Sequence, residues 1–227
     1  MAQNIKKHSK VITLNDVEAL GPSMVETDGY LARSCSDDFI LSFETNGLPG
    51  SDNFEIIHIS LAYFDENKFG GKPILCTPVH PRKSRDVSSS TPFNGITNQM
   101  VFAKTTPRIT EDTALKIRKL VKGHNIYVWN RDFTRAALAS SPIGHLDNLV
   151  DVQEEARWDL SIAHSCEDPA KYDEPQFNPK APSWEDVLGK KPESPEQKIK
   201  FIRFAQTAME RGGINNVLDI MKRKKAG

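Results

Sequence analysis

Phe39-Ile40-Leu41-Ser42-Phe43-Glu44-Thr45-Asn46-Gly47-Leu48-Pro49-Gly50 is a short apolar run that ends in Asn-Gly and Pro-Gly. An apolar run meeting that turn chemistry reads as a strand entering a turn. Glu55-Ile56-Ile57-His58-Ile59-Ser60-Leu61-Ala62-Tyr63-Phe64 follows, rich in β-branched and aromatic residues, and reads as a second strand. Pro73 to Val79 reads as a third. Helical signals come later. Thr110 caps, Glu111 and Asp112 suit the positive helix end, Ala114, Ile117 and Val121 share a face, and Gly123 stops the run. Ile126-Tyr127-Val128-Trp129 reads as a buried strand, Phe133 to Ala139 as a helix, and Leu149-Val150-Asp151 as the start of a further short element. Strands first, then strands alternating with helices, define an α/β fold.

Around this centre the chain is less regular. Residues 1–37 are polar and read as an N-terminal extension. The segment from His80 to Pro92 is rich in proline and serine, and its length predicts a functional or mobile loop. Six prolines lie from Pro169 to Pro195, so 167–195 reads as an irregular acidic connection within one domain spanning 38–211. The helix after it is clearly signalled. Ser194 and Gln197 have capping-box spacing, Pro195 takes the first helical position, and Ile199, Ile202, Ala205 and Ala208 form one stripe. Gly212-Gly213 stops it, and 212–227 reads as a basic helix and tail.

Composition narrows the classes. The 227 residues are 38% hydrophobic and 26% charged, with 30 basic residues offset by 30 acidic ones. Those fractions indicate neither global disorder nor a fibrous repeat. The richest apolar run, Phe54 to Phe64, falls short of the roughly 18 residues that span a bilayer. The start, Met1-Ala-Gln-Asn-Ile-Lys-Lys, lacks the apolar region of a secretory signal. Cys35, Cys76 and Cys166 are odd in number and widely spaced, which predicts reduced thiols without zinc. A soluble cytoplasmic protein, with no membrane partner, is the expectation. Charge is nonetheless uneven. Residues 147–186 carry eleven acids against three bases, and 190–227 carry ten bases against four acids. A fold that neutralises itself explains such blocks, and so does a basic end that meets a polyanion or an acidic partner.

Four motifs resemble the DEDD-type, DnaQ-like 3′–5′ exonucleases. Ser42-Phe43-Glu44-Thr45-Asn46-Gly47-Leu48 is similar to the family's Asp-x-Glu-Thr-x-Gly-Leu, and a strand follows it as in the family. Phe93-Asn94-Gly95-Ile96-Thr97 resembles the His-Gly-Ile-Thr segment. Trp129-Asn130-Arg131-Asp132-Phe133-Thr134-Arg135-Ala136-Ala137-Leu138 resembles His-Asn-x-x-Phe-Asp-x-x-x-Leu, and Ala205-Gln206-Thr207-Ala208 resembles part of the last helix. The resemblance implies an RNase H-like fold, a mixed central sheet flanked by helices. It also implies chemistry in which four carboxylates hold two magnesium or manganese ions that activate a water and stabilise the leaving oxygen. A histidine or tyrosine near the last carboxylate positions or deprotonates that water.

This chain departs from that pattern at most of the ligand positions. Ser42 stands at the first aspartate, Thr134 at the second-motif aspartate, and only Glu44 is kept. Aligning the last helix to His-x4-Asp puts Lys198 at the histidine and Arg203 at the aspartate. Catalytic residues are therefore not expected, and neither is a bound cofactor. Glu44 with Asp132 is the remaining weak candidate for one ion. His164 with Asp168, and His145 with Asp151, lack the family's spacing. No histidine pair has helical metal-binding spacing.

Three functions follow from this reading. The first is a catalytically degenerate exonuclease-like protein that binds a single-stranded RNA or DNA end through Thr45, Asn46, Gly47, Phe93, Trp129 and Asn130, with Lys198 and Arg203 meeting phosphates. The second is a protein–protein adaptor contacting its partner through 1–37, 80–92 or 167–192, which the zero net charge favours. The third is a working magnesium- or manganese-dependent exonuclease in which Asp37, Asp38, Asp132 or Asp168 converge on Glu44. Family members that dimerise make a dimer possible, but no residue here sets the oligomeric state.

Overall fold

The computed structural model of the chain describes residues 38–68, 72–165, 181–188, 191–211 and 213–214. The extension 1–37, most of the acidic connection and the basic tail beyond 214 lie outside the described residues, as do Asp37 and Asp168.

Five strands form one sheet: β1 Phe39–Asn46, β2 Glu55–Tyr63, β3 Leu75–Pro78, β4 Ile126–Val128 and β5 Leu149–Asp151. Their order is β3-β2-β1-β4-β5. β1 pairs antiparallel with β2 and β2 with β3, whereas β4 and β5 continue from β1 in parallel. This mixed sheet, with helices on both faces, is the RNase H-like α/β arrangement implied by the motifs.

Seven helices complete the described fold: α1 Thr91–Asn94, α2 Asn98–Val101, α3 Glu111–Val121, α4 Arg131–Ala139, α5 Val152–Ser165, α6 Trp184–Leu188 and α7 Pro195–Glu210. Two of the caps read from the sequence are present. Thr110 accepts the Thr113 N–H at the start of α3, and Ser194 accepts the Gln197 N–H at the start of α7. Four elements differ from the sequence reading. α1 and α2 lie in and just after the expected loop, α5 rises from the acidic block, and α6 interrupts the expected irregular connection.

β1 lies at the centre of the sheet, and its period of two sorts the core into two layers. Phe39, Leu41 and Phe43 join Ile59 and Leu61 of β2 beneath Ala114, Ile117 and Val121 of α3 and Ala137 and Leu138 of α4. On the other face Ile40 and Ala62 meet Val152 and Ala156 of α5, Val187 of α6, and Ile199, Ile202, Ala205 and Ala208 of α7. A buried side chain the size of isoleucine or leucine contributes about 1.5–3 kcal/mol relative to exposure.

A bulge interrupts the β1–β2 ladder. Glu44 pairs with His58 and Thr45 with Ile56, so Ile57 is the extra residue. The bulge turns Ile56 toward the α3–α4 layer, leaves His58 on the face of Glu44, and sends Ile57 into a small cluster with Val87, Ile96 and Val101.

The segment after β3 is tied down by polar contacts. Backbone N–H groups of Arg82, Lys83 and Ser84 donate to the Glu55 carboxylate at 2.6, 3.1 and 2.6 Å. Burial would raise the Glu55 pKa, but the Ser84, Arg82 and Lys83 bonds outweigh it and hold the carboxyl below its usual range. Asn46 Nδ2 donates to Ser84 Oγ at 3.0 Å and to the Asp86 carbonyl at 3.1 Å, and Asn94 Nδ2 donates to the Thr45 carbonyl at 3.2 Å. The loop and α1 are thereby stitched to the C-terminal end of β1.

Gly47 makes the turn that leaves β1. Its φ is +78°, and a Cβ there would lie 2.6 Å from Asn53 Oδ1 and closer still to Ser51 Oγ. Gly47→Ala is expected to lower stability by about 2 kcal/mol, read from urea unfolding. An unchanged midpoint would show that the turn tolerates a side chain.

Candidate functional site

With the odd-numbered residues of β1 committed to the α3–α4 layer, Ser42, Glu44 and Asn46 face the α5–α7 layer. Glu44 is only 5% exposed. Lys198, in the first turn of α7, places Nζ 2.5 Å from Glu44 Oε1. Burial pushes the Glu44 carboxyl above its usual range, opposed by the charge and hydrogen bond of Lys198.

His58 stands across the strand from Glu44 and is also buried. Burial first, and the Lys198 charge second, lower its pKa to about 4, so the imidazole is neutral at pH 7. Ser60 Oγ lies 3.5 Å from His58 Nδ1 and donates to Cys76 Sγ at 3.5 Å, with Cys76 Sγ 4.0 Å from His58 Nε2. Burial pushes the Cys76 thiol up, which leaves it a protonated group rather than a nucleophile. This row of buried and half-buried polar side chains under the start of α7 was not read from the sequence beyond Glu44 and Lys198.

The remaining expected positions separate. Ser42 is half-buried and pairs across the sheet with Ser60. Thr134 is buried and turns its hydroxyl into its own helix, donating to the Asn130 carbonyl at 2.7 Å. Arg203 does not reach Glu44. It is buried beside the far end of β2, where Nε donates to the Phe64 carbonyl at 2.8 Å and Nη2 to the Tyr63 carbonyl at 2.7 Å. Glu66 lies 3.5 Å from its Nη1. This guanidinium is a clamp on the backbone and not an open phosphate contact.

Asp132 is 88% exposed in the first turn of α4, 3.9 Å from Arg135, and is turned out to solvent. Asp38 accepts the backbone and side-chain N–H groups of Asn125 at the start of β1. Asp151 accepts the Arg131 and Glu154 N–H groups, and His145 faces Asp147 at 3.2 Å on the surface. Among the described residues no three His, Cys, Asp or Glu side chains stand together as a metal site. Two divalent ions need several oxygen ligands, and the one carboxylate here already faces an ammonium. The described residues do not fit the two-metal centre implied by the motifs.

Of the expected binding residues, Phe93 is the most open, at 89% exposed; Leu48, which follows Gly47 in the chain, is 74% exposed. Asn46 is fully buried and acts in positioning the loop, while Thr45 is buried and donates its hydroxyl to the Gly47 carbonyl at 3.2 Å. Asn130 caps α4, accepting the Phe133 N–H, and donates to Gln153 Oε1 at 2.9 Å. Trp129 lies under Trp184 of α6, ring centroids 4.0 Å apart and planes 17° apart, so one of its faces is already stacked. Trp184 lay in the expected irregular connection, where nothing in the local sequence marks it as a partner of Trp129.

No family model and no curated protein matches this chain. Among solved structures, the Neurospora crassa Pan2 catalytic unit, containing protease and nuclease domains, is similar at 13% identity with a TM-score of 0.47. The likeness covers 87% of this chain and 31% of that one, so the chain spans about a third of that structure's length.

Two outcomes follow from the site. Arg203→Leu removes the Arg203 donors from the carbonyls of the half-buried Tyr63 and Phe64 and is expected to cost about 2–4 kcal/mol in urea unfolding. Arg203→Lys will not restore it, because one ammonium does not reproduce the guanidinium fork.

The His58 ring is expected to stay neutral down to about pH 4 in an NMR titration of its carbon-bound protons. An unfolded histidine takes up its proton near pH 6.5, so stability from His58 is complete above that value and is lost as pH falls toward 4, on the order of 3 kcal/mol in all. In Lys198→Met the midpoint will rise but stay below the unfolded value, because burial is the larger cause.

Proposed function

We propose that this chain is an exonuclease-fold protein of the DnaQ-like type that has lost two-metal hydrolysis and works by binding the end of a single-stranded nucleic acid. The observation that carries the reading is the Glu44–Lys198 ion pair, which puts a fixed ammonium against the one family carboxylate retained. Ser42 and Thr134 supply hydroxyls where the resemblance implies carboxylates. Neither holds a divalent ion as an aspartate does.

Support for binding comes from the C-terminal end of β1. Exposed Leu48 and Phe93 flank the Thr45–Asn94 hydrogen bond, and the loop stitched to Asn46 carries exposed Arg82, Lys83 and Arg85. Apolar side chains beside cations suit a strand whose bases stack while its phosphates pair. Open α/β sheets bind ligands beyond the carboxyl ends of their strands, which is where these groups lie.

Labelled single-stranded RNA and DNA, incubated with the purified protein with and without manganese, test the reading. Complexes without shortening are expected, with log affinity falling against log salt by about 0.7 per phosphate contacted. Phe93→Ala, at an exposed position, should weaken binding by about 5- to 100-fold with the fold unchanged. Manganese-dependent shortening that Glu44→Gln abolishes would show an active nuclease instead. Neither binding nor shortening would leave a protein partner as the ligand.

A further inference from the structure

We infer that the Lys198 ammonium is a built-in substitute for a divalent cation: it supplies the counter-charge of the buried Glu44 carboxylate and makes the polar row independent of metal. The inference rests on the loss of two-metal chemistry proposed above, but its test reads metal and stability rather than strand binding.

Burying a carboxylate without a partner is strongly destabilising. Glu44 is covered by α7 on the α5–α7 face of the central strand, and its flanking polar neighbours are Ser42, Asn46 and His58. None of these carries a positive charge at neutral pH, since the histidine is held neutral. Lys198 therefore supplies the positive charge at Glu44, at 2.5 Å, with its own side chain 21% exposed. A metal ion ligated by Glu44 would sit about 2 Å from its oxygen. That places it close against the ammonium, where like charges in a water-poor site repel strongly. The lysine thus fills the electrostatic role and also bars the ion.

The same geometry says how to reverse the exchange. Ser42 lies two residues from Glu44 on the same face of β1, and Lys198 already touches Glu44. Ser42→Asp with Lys198→Asp would gather three carboxylates and remove the cation.

Thermal unfolding and calorimetric Mn2+ titration on five proteins test the idea. In about 1 mM Mn2+ the wild-type midpoint should move by less than about 1 °C, and that of Ser42→Asp/Lys198→Asp should rise by about 4 °C or more, a rise that adding Glu44→Gln removes. Lys198→Met should unfold at lower temperature than wild type, and Glu44→Gln/Lys198→Met should recover most of the loss. The inference is overturned if Mn2+ stabilises the wild type, or if the double-aspartate protein folds by circular dichroism yet binds no Mn2+. Should that protein not fold, the neutral pair decides: Glu44→Gln/Lys198→Met no more stable than Lys198→Met overturns it. A wild type that binds no strand would sink the proposed function and leave these expectations intact.

Discussion

A central strand covered by helices on both faces offers little water to the polar side chains it carries, and β1 carries Ser42, Glu44 and Asn46 on one face, the last two buried. Each must find a partner from elsewhere in the chain or remain uncompensated. Glu44 finds Lys198, more than 150 residues away, and that contact sets the start of α7 over the sheet. Asn46 finds Ser84 and Asp86, and that contact draws the loop after β3 to the strand's end. The polar residues of β1 thus place two segments that the apolar core alone does not specify.

α7 shows why its half-buried Lys198 and its buried Arg203 take different work. Residues five apart on an α-helix point about 140° apart and lie about 7.5 Å apart along its axis. Lys198 reaches Glu44, while Arg203 reaches the end of β2 at Tyr63, whose β1 partner is Phe39. Phe39 is five residues, about 16 Å, back along the strand from Glu44. Joint contact with one carboxylate or one phosphate was therefore excluded by spacing once α7 lay along β1. Lysine suits the first task as a compact point charge, and arginine suits the second because its planar fork serves two carbonyls at once.

The legible parts of the fold were those decided by local chemistry. The run Phe39–Phe43 with its Asn-Gly turn, the caps Thr110 and Ser194, and the stripe Ile199-Ile202-Ala205-Ala208 each state their structure within a few residues. α5 was hidden by its composition, because its acidic first turn and its charged neighbours mask the buried positions Val152 and Ala156. α6 was hidden among prolines and depends on packing Trp184 over Trp129 and Val187 into the α5–α7 layer. The site was legible as residue types and not as contacts. Glu44, Ser42, Thr134 and Lys198 could be placed against a motif, but the Ile57 bulge determines which way Ile56 and Ile57 point and keeps His58 beside Glu44. No local pattern announces an extra residue in a run of β-branched side chains.

Charge balance ties these observations together. Carboxylates gathered within a few ångströms raise one another's pKa and need cations or protons to coexist. A site with one carboxylate and one ammonium needs neither, and hydroxyls at Ser42 and Thr134 add no charge for it to offset. Intermediate combinations are worse than either end. An aspartate at position 42 beside an intact Glu44–Lys198 pair would give two carboxylates one cation, and removing Lys198 alone would give Glu44 none. The neutral histidine belongs to the same balance, because a protonated His58 would set a second cation against Lys198 in a space already holding one. The row is therefore coupled, and its members cannot be exchanged one at a time without loss of stability.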